Sequence, residues 1–242
     1  LDGVMTHFAS SEVADSPLTL HQRQRFEQAL SEVAASCLHP AWVHAGNSST
    51  VDNSSAGEHD PGSLTWLRSV ASSLGARAMV RAGLALYGYC LPIDCTDAPA
   101  SHSLVRDRLR PVMTWKTRVI ALRDVQAGDT VGYNATFAAQ GPMRLALLPA
   151  GYADGLRREL SSANERAGGW VMVRGQRAAI VGRVSMNLTV VDVTGIDAAR
   201  VGDEAVLLGD GVTADDHARV AGTISYEILC GVRTRPRVAN RG

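Results

Sequence analysis

Along the first hundred residues, short apolar runs alternate with longer segments whose apolar positions recur at helical spacing. Gly3-Val-Met-Thr-His-Phe8 has the pattern of a short buried strand ending near His7. From Leu20 to about Cys37, Phe26, Leu30 and Val33 fall on one face while Arg23, Arg25 and Glu27 face water, which predicts a helix capped by Thr19. Trp42-Val-His-Ala-Gly46 predicts a second strand, followed by Asn47-Ser-Ser-Thr50 as a small polar turn. The stretch from Val51 to Ser63 is rich in Ser, Asp and Gly and reads as a surface insertion. Leu64 to Leu74 predicts a short helix, Ala78 to Arg81 a strand, and Gly83 to Gly88 a tight apolar turn. Strand, helix, strand, helix, strand is a parallel α/β order. Side chains just past the strand ends line the ligand site in such folds, so His7, Ser48 and Arg81 are expected on one rim.

From about Leu109 the pattern changes to alternating runs separated by turns. These are Val112 to Leu122, Thr130 to Tyr133, Arg144 to Leu148, Trp170 to Val173, Gln176 to Val184, Thr189 to Val193 and Glu204 to Leu208. They predict an antiparallel β domain, with Arg123 to Asp129 and Val173-Arg-Gly-Gln176 as turns. Thr213 to Ala221 predicts a helix capped by Thr213. The domain boundary is placed at 105/106, giving an α/β part over 1–105 and a β part over 106–242.

Composition narrows the function classes. The 24 basic and 24 acidic side chains cancel, so no basic field exists to gather a nucleic acid. No apolar run reaches the roughly 20 residues of a membrane helix, and the amino end lacks a leader pattern. A cytoplasmic protein without a nucleic-acid or membrane partner is expected. Cys37, Cys90, Cys95 and Cys230 form no Cys-x-x-Cys pair and read as buried thiols. No metal is expected, because Pro40 and a strand start separate His39 from His44 and no His-Glu-x-x-His occurs. No Gly-x-Gly-x-x-Gly follows a strand, so no dinucleotide is indicated. Lys116 is the only lysine.

Several turns carry chemically capable side chains. Tyr133 closes a strand in Val131-Gly-Tyr-Asn-Ala-Thr136, where a tyrosine on local grounds is a half-buried packing residue. Tyr152 and Asp154 sit in Gly151-Tyr-Ala-Asp-Gly155, which on its own reads as a hairpin turn. Gly182-Arg-Val-Ser-Met186 and Thr223-Ile-Ser-Tyr-Glu227 read singly as strand ends.

Together and in this order, these segments resemble the second part of the bacterial alanine racemase family. The resemblance also includes Met5-Thr-His-Phe-Ala9, His44-Ala-Gly-Asn-Ser48, Val80-Arg-Ala-Gly-Leu-Ala-Leu-Tyr-Gly88 and Arg235-Pro-Arg237. It implies the C-terminal part of a (β/α)8 barrel that binds pyridoxal 5'-phosphate (PLP), followed by an antiparallel β domain. It implies a homodimer whose active site is shared between subunits, acting on a small amino acid. Tyr133 would be one of two catalytic bases, Arg81 would face the pyridine nitrogen, and His7 would pack beside the ring and help hold Arg81. Ser48 and Tyr226 would bond the phosphate, while Met186 and Tyr152 would meet the substrate or its approach channel. The lysine that anchors PLP in the family lies in a segment not in this chain, and Lys116 does not match it. The chain is therefore expected to be incomplete, inactive alone, and part of an enzyme that supplies D-alanine for peptidoglycan. Asn187 stands where the family usually has aspartate, which keeps open a serine or other amino-acid racemase of the same fold, and a non-catalytic remnant that only dimerises is a further alternative.

Overall fold

The computed structural model describes residues 1–53, 62–94 and 104–233. Cys95, most of the 51–63 stretch and the Arg235-Pro-Arg237 motif lie outside them. The chain forms two compact units, Leu1–Val112 and Met113–Gly242. The 105/106 position lies just before a short 3-10 turn, Arg106–Arg108, within the first unit.

The first unit is built on three parallel strands, β1 (Gly3–Met5), β2 (Trp42–His44) and β3 (Arg77–Met79), in spatial order β1-β2-β3. Met5, His44 and Met79 lie side by side at the carboxyl ends of these strands. Among the described residues no closed barrel forms; the sheet is open. Helix α1 (Pro17–Ala35) joins β1 to β2. Its cap is Ser16 rather than the expected Thr19, because Pro17 takes the first helical position, where its missing N–H costs nothing. Thr19 instead donates its hydroxyl to the Ser10 carbonyl (3.1 Å). Arg23, expected to face water, is buried and lies 5.5 Å over the Trp66 ring while donating to Ser63 Oγ (2.6 Å). The expected turn at Asn47 is the start of helix α2 (Ser48–Asp52), capped reciprocally by Asn47 and Thr50. Helix α3 (Gly62–Ser73) packs Trp66, Leu67 and Ala71 against Phe8, Phe26, Leu30, Val43 and Ala45, the core of this unit. The expected apolar turn after β3 is a short helix, α4 (Gly83–Leu86).

In the second unit every strand pairing is antiparallel. The run expected as one strand from Val112 to Leu122 is two, β4 (Trp115–Arg118) and β5 (Ala121–Val125), in different sheets. The change of sheet occurs at consecutive amides: Val119 N donates to Asp203 O and Ile120 N to Leu147 O. Strands β6 (Thr130–Val131) and β7 (Phe137–Ala138) pair with each other. Then come β8 (Met143–Leu148), β9 (Trp170–Val173), β10 (Gln176–Ala179), β11 (Thr189–Asp192) and β12 (Glu204–Leu208). They form sheets in the orders β10-β9-β12-β4 and β11-β8-β5. The run after Gln176 also changes sheet, because Ile180 bridges to Val191 and Val181 N donates to Val190 O. Helix α5 (Ala214–Ala221) has the expected Thr213 cap, reciprocated by Asp216. The Ile224-Ser-Tyr-Glu segment, read as a strand end, opens helix α6 (Ser225–Gly231). Of the cysteines expected to be buried, Cys90 is, with burial raising its thiol pKa to about 11, whereas Cys37 and Cys230 are exposed.

Candidate active site

The first unit gathers its polar groups at the carboxyl ends of the parallel strands. Arg81, two residues past β3, donates from Nη1 to His44 Nδ1 (2.9 Å). Its Nη2 donates to His7 Nδ1 (2.8 Å) and to the Thr6 carbonyl (3.2 Å). Guanidinium has no acceptor, so both imidazoles must accept at Nδ1 and carry their proton on Nε2. His44 is held below its ordinary pKa, first by burial and then by the Arg81 charge, which favours the neutral ring this bond needs. His7 and Arg81 are thus brought together as expected from their strand positions. His44 was missed as a member of this cluster. Its signal was its place as the last residue of β2, equivalent to Met5 and Met79 in the sheet register.

Ser48 is wholly buried at the start of α2, and its Oγ accepts from the Ala85 amide in α4 (2.9 Å). Its hydroxyl hydrogen has no acceptor among the described residues. Open space lies over Gly83 at the start of α4, which has no side-chain cap of its own.

The second unit presents its candidates from turns. Tyr133 follows Gly132 (φ 79) and begins a 3-10 turn whose next two residues, Asn134 (φ 63) and Ala135 (φ 49), are both left-handed. Asparagine tolerates that region; alanine there costs on the order of 1 kcal/mol, strain of the kind that clusters at functional sites. Tyr133 is not a packing residue: it is 69% exposed. Beyond this turn a cavity of about 390 Å³ is lined by Thr136, Ser161, Ser162, Arg158, Arg166 and Arg183.

Gly151-Tyr-Ala-Asp-Gly155 is not a hairpin. Asp154 Oδ2 accepts from Gly151 N (2.9 Å), Asp154 N donates to Gly151 O, and Gly155 N donates to Tyr152 O. The turn docks on the next segment through Tyr152 N to Ser185 O (3.0 Å) and Ala153 N to Met186 O (2.8 Å). Tyr152 and Met186 are therefore neighbours, both exposed. Tyr226 lies in the first turn of α6, half-buried. Lys116 projects from β4 and pairs with Glu204 of β12 (2.7 Å), with both side chains about half exposed. Among the described residues no cluster of three or more His, Cys, Asp or Glu could hold a metal ion, and no helix is long and apolar enough to cross a membrane.

The donor set of the first unit fits PLP. Arg81 Nε–H has no partner among the described residues and can meet a ring nitrogen as a permanent donor, while the Ser48 hydroxyl can donate to a phosphate.

A parallel β/α unit with a basic cluster at its strand ends, followed by an antiparallel domain that presents tyrosines from turns, defines the class of a barrel segment joined to a β domain. Family comparison is more specific. Residues 1–91 match the alanine racemase N-terminal domain and residues 112–239 the alanine racemase C-terminal domain. An alanine racemase of Syntrophobacter fumaroxidans is 39% identical over 237 residues, covering 96% of this chain and 54% of that relative. The alanine racemase structure from Streptomyces coelicolor superposes with a TM-score of 0.76 at 31% identity, over 100% of this chain and 57% of that one. That of Bartonella henselae with covalently bound pyridoxal phosphate gives 0.68 at 26% identity, over 97% and 55%. The chain belongs to the alanine racemase family, which is PLP-dependent and carries a barrel followed by a β domain. It spans about half the length of the curated relatives it matches.

Proposed function

We propose that this chain supplies part of the active site of an enzyme that interconverts L- and D-alanine with PLP. The observation that carries this reading is the Arg81 guanidinium, fixed by two ring nitrogens and a carbonyl, with its Nε–H and one Nη1–H left over among the described residues. The chemistry expected of PLP at this site is an electron sink that makes the Cα proton of a joined amino acid acidic. Arg81, a permanent cation and donor, would hold the ring nitrogen of PLP and disfavour its protonation. His7 and His44 hold the guanidinium plane by accepting from it. Ser48 and Tyr226 orient the phosphate with hydroxyl donors. Tyr133 Oη takes or returns the Cα proton on one face, and its exposure suits a group that enters the site of a partner subunit. Inversion needs a second base on the opposite face; we assign that role, and the PLP anchor, to a lysine preceding Leu1 in the whole protein. Tyr152 and Met186 line the approach of the substrate. The assembly is a cytoplasmic homodimer without nucleic-acid or membrane partners, and its product feeds peptidoglycan.

Serine is the second substrate to test, because the exposed Asn187 beside Met186 puts a neutral amide where the family usually has an acid. The deciding experiment measures alanine and serine racemisation with added PLP, comparing the 242-residue chain with a form extended upstream to the relatives' length. Activity in the extended form alone is expected. Activity in the shorter chain would overturn the assignment of the second base.

A further inference from the structure

Helix α6, which carries Tyr226, and the residues just after it are held to the segment Gly151–Arg157 at three points. The first is backbone on backbone: Gly155 has φ +109, and a Cβ there would lie 2.1 Å from the Gly231 carbonyl oxygen at the far end of α6. The second is the Arg233 amide, which donates to the Asp154 carbonyl (3.0 Å). The third is an ion pair between Arg157 Nη1 and Glu227 Oε1 (3.0 Å), one residue beyond Tyr226. Thr223 donates its hydroxyl to the same Glu227 carboxylate, and Arg157 Nε also meets Glu159 (3.2 Å). The helix is thus clamped at both ends: by Gly155 and Arg233 behind it, and by Arg157 beside Tyr226.

We propose that Arg157 is a positioning residue for Tyr226, joining the amino end of α6 to the segment that leads out of the Tyr152 turn so that both tyrosines are held as one body. The same turn is bonded to Ser185 and Met186, so Tyr152, Met186 and Tyr226 share one backbone scaffold. Without the ion pair, α6 keeps its carboxyl-end seat on Gly155 and loses one tie beside Tyr226. The effect is small, because Arg157 is 28% and Glu227 51% exposed, and such pairs change an equilibrium by roughly threefold.

This inference rests on the reading that Tyr226 meets the phosphate of PLP. The test titrates PLP, and pyridoxal lacking the phosphate, into the extended protein and its Arg157→Gln, Arg157→Lys and Tyr226→Phe variants. Arg157→Gln is expected to weaken PLP about threefold and leave pyridoxal unchanged, with Arg157→Lys recovering most of the loss. The double variant Arg157→Gln/Tyr226→Phe is expected to bind PLP no more weakly than Tyr226→Phe alone, since the arginine acts through the tyrosine. Equal weakening of PLP and pyridoxal, or losses that multiply in the double variant, would overturn the proposal. If Tyr226→Phe weakens PLP but Arg157→Gln does not, the inference fails and the phosphate reading stands. If Tyr226→Phe leaves PLP binding unchanged, both fall.

Discussion

In the unit Leu1–Val112 the candidate residues are held by one another: Arg81 is fixed by two ring nitrogens and a carbonyl, and Ser48 by an amide of α4. In the unit Met113–Gly242 the candidates Tyr133, Tyr152 and Met186 are exposed, and it is the main chain beneath them that is fixed. Tyr133 stands on a strained left-handed turn, and Tyr152 on a turn docked through its backbone against Ser185 and Met186. The difference has a chemical logic. A cofactor-facing cation needs a defined charge and direction, which side-chain hydrogen bonds supply. A residue proposed to serve another subunit would need its side chain free, so its precision would come from the main chain. The first kind of site is sensitive to loss of a partner atom and the second to addition of one.

The largest expected effect tests the second half of that contrast. A Cβ on Gly151 would lie 2.2 Å from the Ser185 carbonyl oxygen and 2.6 Å from the Met186 carbonyl, and backbone cannot move aside as a flexible side chain can. Gly151→Ala is expected to cost about 3 kcal/mol or more by overpacking, read as a shift of the urea midpoint. Gly128→Ala is the control: φ is +91 but nothing lies within 4 Å, so only the conformational cost of about 1 kcal/mol remains. Equal losses at the two positions would refute close backbone approach as the determinant.

The first half is tested by Arg81→Gln, which removes the cation and breaks its fork of donors. We expect a loss of about 1.5 kcal/mol, the size of charged hydrogen bonds in a partly exposed setting. The more specific readout is the His44 ring titrated by NMR. Its pKa is lowered first by burial and second by Arg81, so the variant should raise it part of the way towards the ordinary value near 6.5. No change would mean that Arg81 and His44 are not coupled.

A third measurement follows stability with pH. His217 in α5 is buried, and its Nε2 donates to the Trp170 carbonyl (3.1 Å). Burial lowers its pKa, with the carbonyl and Asp216 opposing. A histidine depressed on folding binds fewer protons in the native than in the unfolded state, so its contribution is fully present above about pH 6.5 and is lost as the pH falls towards its folded value. The β domain is therefore expected to lose stability below about pH 6.5, by up to about 1.4 kcal/mol per pH unit for one proton. His217→Gln should flatten that slope; an unchanged slope would assign the acid sensitivity elsewhere.

How much of this was legible in the sequence follows from how local each cause is. The Thr213 cap of α5 was readable because cap and helix adjoin, and the strand order of the first unit because its apolar runs are short and well separated. The α1 cap was displaced by Ser16-Pro17, a signal present but outweighed by Thr19. The sheet changes at Val119–Ile120 and Ile180–Val181 leave the apolar alternation intact, since the strand keeps its pleat while its partner changes. Among the candidate residues, His7 and Arg81 could be placed together from their strand ends alone. His44 was masked by being weighed only as a possible metal ligand with His39. The α6 seat depends on Gly155 meeting Gly231, a contact over many residues that no local pattern encodes.

The smallest expected effect concerns the only lysine, and it bears on which unit can supply a second base. Lys116 lies across β4 and β12 from Glu204 at 2.7 Å, with both side chains 48% exposed. Such a pair contributes no more than about 0.5 kcal/mol, because water competes for both charges and two long side chains lose freedom in meeting. Lys116→Met keeps the stem that covers the sheet and removes only the charge. In the extended form it should leave the melting midpoint, the visible absorbance of bound PLP and the racemisation rate unchanged within error. A lost absorbance band would identify Lys116 as the anchor, moving the second base into the β domain and overturning the division of labour between the two units.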